Sequence, residues 1–197
     1  MAERLSPLAH SRLGHGQRDT GESAQVAMRH PRPGSILQIV AWPGTHKEVR
    51  ATIAELLGIE APALGYAAVQ DGMTIAALAP GRFLVSGEAT DLAERFASLS
   101  PERGAVTDLS HARAIIRAEG LGVAEHLTQF IAIDTELSAF PPNRVAQTAI
   151  HHMDVLVHRL EESRFDLWVL RSFAVTLAHW ISYGEVEWFG VPRVRNA

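Results

Sequence analysis

Residues 35–58 read SILQIVAWPGTHKEVRATIAELLG, and this stretch decides the fold class. Ile36 to Trp42 is an apolar run of strand length, and Pro43 and Gly44 then turn the chain. Thr45 and Glu48 have the spacing of a capping box, in which hydroxyl and carboxylate each satisfy an orphan N–H of a starting helix. Val49, Ile53, Leu56 and Leu57 follow at helical spacing, and Gly58 is placed to stop the helix. A strand therefore feeds directly into an amphipathic helix.

Working outward, Thr74 to Ala79 and Phe83 to Ser86 read as two strands joined by a tight Pro80-Gly81 turn. Ala89, Leu92, Ala93 and Phe96 mark a second amphipathic helix that ends near Ser100-Pro101, and more strand material lies near Val106 to Leu109. The order then recurs. Ala112 to Glu119 is a strand, and Gly120 leads into a helix carrying Val123, Leu127 and Phe130. Met153 to Arg159 and Phe165 to Leu170 form a strand pair around Glu161-Glu162-Ser163. Ser172 can cap a closing helix with Phe173, Leu177, Trp180 and Ile181 inside and Gly184 as its stop. Gly44 to Gly120, Met73 to Met153 and Phe83 to Phe165 are similar offsets. The predicted class is α+β, with two ferredoxin-like βαββα lobes over about 35–103 and 104–190.

Residues 1–34 differ in composition. His, Arg, Ser, Gly and Pro dominate, and a segment with so few apolar residues cannot offset its own ordering entropy. It reads as an extended N-terminal arm, either a loose tail or a segment ordered against a partner; 191–197 reads as a C-terminal tail.

The 197 residues are 47% hydrophobic, enough to bury a core without disulfide or metal staples. With no cysteine, thiolate metal sites, iron–sulfur clusters and cysteine nucleophiles are excluded. A net charge of −4 without basic runs argues against a nucleic-acid binder. No apolar run approaches the roughly 18 residues of a membrane span, and no signal-peptide pattern opens the sequence, so a cytoplasmic protein is expected.

Each candidate chemistry has a plainer competitor. Gly120-Leu121-Gly122-Val123-Ala124-Glu125 sits where a dinucleotide fingerprint would, but Glu125 replaces the third glycine, and a packed glycine turn is the favoured reading. Gly14-His15-Gly16 lacks a preceding strand. Among ten histidines, the densest group is His151, His152, Asp154 and His158. On a strand His152, Asp154 and His158 would share a face, but His158 lies roughly 20 Å beyond His152, leaving at most a two-ligand His152/Asp154 site. Ser110-His111 and Ser172 belong to no nucleophile elbow, and Asp108-Leu109-Ser110 reads as a capped turn. Arg159 and Arg171 could clamp a carboxylate, although a surface ion pair or partner contact fits better. Trp188 and Phe189 suggest a docking patch. The expected catalytic, cofactor-binding and metal residues are therefore none.

Three stretches carry a family resemblance: VTDLSHARAIIRAEG (106–120), AQTAIHHMDVLVHR (146–159) and FDLWVLRSFAVTLAHWI (165–181). With LSPLAH (5–10) and GRFLVSG (81–87), they make nearly the whole chain similar to the gamma subunit of heterotetrameric sarcosine oxidase. The resemblance implies a fold like the folate-binding domain of the glycine-cleavage T protein. It also implies alpha, beta and delta partner subunits, with FAD and FMN in beta, NAD and the folate site in alpha, and zinc in delta. The complex would oxidise sarcosine to glycine, pass the one-carbon unit to tetrahydrofolate and yield hydrogen peroxide, while this chain would bind no cofactor and carry no catalytic residue. Two alternatives are the corresponding subunit of N-methylglutamate dehydrogenase and a stand-alone folate-binding module.

Overall fold

The computed structural model describes residues 7–8 and 26–181, together with the backbone of 186–188. Within these, the chain divides into two compact units. The first spans Arg32–Arg113 and Asn143–Gln147; the second takes the described parts of Met1–Pro31, Ala114–Pro142 and Thr148–Ala197.

The chain enters through β1 (Val26–Arg29), a strand of the second unit, and then builds the first. That unit runs β2 (Ser35–Ala41), α1 (His46–Leu57), β3 (Ala67–Gln70), β4 (Met73–Ala79), β5 (Arg82–Gly87), the single turn α2 (Leu92–Arg95) and β6 (Gly104–Asp108). Its sheet has the order β3-β4-β5-β2-β6. β2 pairs antiparallel with β5 on one side and β6 on the other, with Ile39 opposite Phe83 and Val106. With β3 set aside as an extra edge strand, this is the ferredoxin-like arrangement, the first strand lying between the third and the last. Leu37 and Ile39 of β2 join Val49 and Ile53 of α1 with Ile75, Phe83 and Phe96 in one buried cluster. Each such side chain contributes about 1.5–3 kcal/mol by leaving water.

Two local expectations change here and one holds. Thr45 makes no capping bond; its hydroxyl donates to the carbonyls of Trp42 and Arg103, 2.9 and 2.5 Å away, so a long-range tie replaces the capping box. Gly58 does close α1, with φ +68° in the left-handed region. Residues Gly104–Asp108, expected to open the second lobe, pair with β2 and so complete the first sheet.

The second unit runs β7 (Arg113–Glu119), α3 (Val123–Thr128), β8 (Val145–Ile150), β9 (Met153–Glu161), β10 (Arg164–Leu170), α4 (Ala174–Ile181) and β11 (Val186–Trp188). Its sheet order is β11-β1-β7-β10-β9-β8. The plan of the first sheet returns, with β7 in the role of β2, the β9–β10 hairpin in that of β4–β5, and β8 as the added edge. The slot beside β7, however, is filled by β1, which runs antiparallel to it and parallel to β11. Val26 and Met28 are buried there. The last part of the expected N-terminal arm is thus an interior strand, because alternating Val26 and Met28 supply one apolar face. α4 is preceded by a 3-10 turn at Arg171–Phe173, so Ser172 lies inside that turn and does not cap the helix. Gly184, most of residues 1–25 and the 191–197 tail lie outside the described residues.

Candidate functional site

The β9–β10 hairpin sets the polar geometry of the second unit. Asp166 faces His158 across the ladder and Phe165 faces Arg159, so successive pairs alternate between the two faces of the sheet. Sequence alternation alone therefore decides which charges meet.

On one face Arg159 is buried, and its guanidinium is consumed by backbone. It donates to the carbonyls of Thr135 at 2.9 Å, Phe140 at 2.8 Å, Glu162 at 2.5 Å and Glu161 at 3.3 Å. The same group lies 4.9 Å over the Phe165 ring, which stacks on Phe140. Burial lowers the Arg159 pKa from its ordinary value, yet four carbonyl dipoles receive the charge. The residue is thus neither a surface ion pair nor a carboxylate clamp. It fastens the irregular 131–140 segment and the β9–β10 turn to the sheet. Arg171 opens the 3-10 turn after β10.

On the other face Arg117 of β7 forks onto Asp166, with bonds of 2.7 and 2.8 Å to the two carboxylate oxygens. The Asp166 bond holds Arg117 above its ordinary value, and burial pushes the Asp166 carboxyl up despite the guanidinium beside it. Beyond Asp166 stands His158, only 1% exposed, with no hydrogen-bond partner for either ring nitrogen among the described residues. Burial, and then the positive Arg117, push its imidazole down to about 4. Toward the sheet's β1 side the charges continue through Arg29–Glu119 at 2.6 Å and on to Arg164 and Glu161. An ion-paired ladder with a neutral buried imidazole at its inner end holds a sheet face together.

The residues singled out from sequence fall elsewhere. Gly120 ends β7 with φ +133°, its N–H donates to the Ser163 carbonyl at 3.0 Å, and Val123 and Leu127 of α3 are buried, so this is a turn into a packed helix. His151 and His152 occupy the turn before β9 and pack against Trp180, at ring distances of 4.1 and 5.8 Å. Asp154 is exposed while His158 is buried, and among the described residues no three His, Asp or Glu are grouped to hold a metal. Asp108 accepts from the Ser110 N–H at 2.8 Å, and the Ser110 hydroxyl accepts from the Ile36 N–H at 2.8 Å, a turn and a strand tie. Gly14-His15-Gly16, Phe189 and the Trp188 side chain lie outside the described residues; the Trp188 backbone pairs with β1. The Arg117–Asp166 pair went unread, although Arg117 and Glu119 on alternate positions of β7 already mark a charged face.

No family model matches the chain. It is 26% identical over 180 residues to the sarcosine oxidase subunit gamma of Corynebacterium sp. (strain U-96), covering 90% of this chain and 88% of that one. The same likeness appears in three dimensions with the heterotetrameric sarcosine oxidase from Corynebacterium sp. U-96 in complex with pyrrole 2-carboxylate. There the TM-score is 0.79 at 27% identity, over 98% of this chain and 99% of the other. The glycine cleavage system aminomethyltransferase T from Bartonella henselae superposes with a TM-score of 0.62 at 14% identity, over 84% of this chain and 48% of that one. The fold is accordingly T-protein-like, and the gamma-subunit resemblance extends along the chain.

Proposed function

We propose that this chain is the gamma subunit of a heterotetrameric sarcosine oxidase, serving an oxidoreductase complex as a structural component. The observation that carries the reading is length-wide similarity to one subunit of such a complex, in sequence and in fold together. Its interior charges agree with the role: Arg117 and Asp166 hold each other, and Arg159 holds backbone. Within the proposal the partners are alpha, beta and delta subunits, FAD, FMN, NAD and zinc belong to those partners, and the complex works in the cytoplasm. Among the described residues no helix is long and apolar enough to cross a membrane.

The complex would take sarcosine to glycine, with the one-carbon unit passing to tetrahydrofolate and hydrogen peroxide as the second product. The N-methylglutamate dehydrogenase and stand-alone folate readings are not favoured. The similarity runs to a sarcosine oxidase subunit, and the T-protein likeness, at 14% identity, speaks to fold alone. Co-expression with the neighbouring reading frames tests the proposal. The chain should co-purify in a four-subunit complex that forms peroxide from sarcosine faster than from N-methylglutamate. A chain that stays a free monomer beside those subunits would overturn it.

A further inference from the structure

The second unit carries a groove of about 700 Å³ away from the Arg117–Asp166 face. It is lined by α3 and the turn before it, with Leu121 and Glu125, by Thr135 to Leu137, and by Arg159 and Glu162 of the β9–β10 hairpin. The walls are fixed to each other. The Thr135 hydroxyl donates to the Ala124 carbonyl at 3.0 Å, and the Thr135 carbonyl accepts from Arg159. A groove so tied needs no ordering when it is filled, which is what a docking site requires.

Two properties of this groove say what would fill it. Leu121 stands 97% exposed at its lip, and Leu137 is 42% exposed opposite. A fully solvated leucine on a pinned turn gains nothing for this chain's own fold and offers an apolar anchor to another. The three ionisable side chains at the rim, Glu125, Glu136 and Glu162, are all acidic and exposed, and the lone cation below them is committed to carbonyls. Arg159 offsets part of their potential, but three carboxylates against one cation leave the groove acidic at its exposed rim, which favours a cationic occupant.

We infer that this groove docks a basic segment of another subunit of the complex, one that places lysine or arginine side chains on Glu125, Glu136 and Glu162 and an apolar side chain against Leu121 and Leu137. This rests on the subunit reading above. The test is a triple variant, Leu121→Asp, Glu125→Lys and Glu162→Lys, in the full chain co-expressed with the other subunits and captured through a tag on one of them. All three side chains are exposed, and the Glu162 carbonyl that Arg159 uses is retained, so the variant keeps its circular dichroism and thermal midpoint. Its association should weaken roughly 30-fold, the scale of losing one hot-spot residue, and the wild-type association should loosen as salt is raised. Glu60→Lys with Glu94→Lys, exposed positions on the first unit, should leave assembly unchanged. If the wild-type chain assembles and the triple variant assembles equally well, the groove assignment is wrong while the subunit reading stands. If the wild-type chain does not assemble at all, the subunit reading itself has failed. A dimer of the isolated chain, seen by sedimentation and abolished by Leu121→Asp, would name a second copy as the occupant and overturn the inference.

Discussion

Replacing Arg159 by Met removes the guanidinium while keeping most of its stem, and the structure sets the size of the loss. Two of the four carbonyls it serves, those of Glu161 and Glu162, belong to the exposed β9–β10 turn, where water can take over. The bonds to the Thr135 and Phe140 carbonyls are buried. Hydrogen bonds to a charged group contribute about 1.5–3 kcal/mol each, so those two represent about 3–6 kcal/mol. Relief from burying the charge offsets part of this, and about 3 kcal/mol should remain. For a chain of this length that is roughly 6–12 °C in the thermal midpoint. Arg159→Lys keeps the charge without the planar fork and should recover only a minor part. Urea unfolding of the isolated chain reads the loss, and hydrogen exchange across 131–140 in the assembled complex reads it where it originates. A midpoint within experimental scatter of wild type, with unchanged protection of 131–140, would refute the role given to Arg159.

Three further outcomes follow from the same coordinates. His158, held near pKa 4 in the fold against 6.5 unfolded, is charged more readily when unfolded. Stability is therefore full above about pH 6.5 and falls as pH drops toward 4, by about 3 kcal/mol. Raised Asp166 acts in the opposite sense, so the comparison of urea midpoints at pH 7 and pH 5 should be made between wild type and His158→Leu, whose pH dependence should be shallower. Deletion of residues 1–34 removes β1 from between β11 and β7 and should cost the second unit its cooperative unfolding, whereas a start at residue 25 should retain it by calorimetry. Gly81→Val places a β-branched residue at φ +68° with its Cβ 2.7 Å from the His46 ring, and should lower the thermal midpoint by several degrees.

The parts of this fold that were legible are those where one local signal suffices. Gly58 and the Pro80-Gly81 turn announce a stop and a hairpin by conformations that other residues resist, and both stand where the sequence puts them. Val49 and Ile53 mark the inner stripe of α1 by spacing alone. What escaped reading depends on distant chain. Val26–Arg29 is four residues long, and its assignment to the sheet is made by β7, roughly ninety residues later. Thr45 satisfies every local rule for a cap, yet the Arg103 carbonyl from the far end of the unit takes its hydroxyl. β3 and β8 are short edge strands of small residues, interrupted by Gln70 in one and by Gln147 and Thr148 in the other, so their periodicity is weak.

The candidate site follows the same division, and that bears on function. Arg159 could be placed at a strand end from sequence, but its partners are carbonyls, which carry no side-chain signature and so cannot be read in advance. Once they are seen, the conspicuous charges of the second unit divide by what they touch. Arg117, Asp166 and Arg159 are spent within the sheet, and His158 is held neutral at 1% exposure. The side chains left facing water around the groove, Leu121, Glu125, Glu136 and Glu162, set an apolar anchor inside an acidic rim. The docking role proposed for the groove therefore rests on exposed side chains that the core of this unit does not use, so substituting them tests the interface without testing the fold.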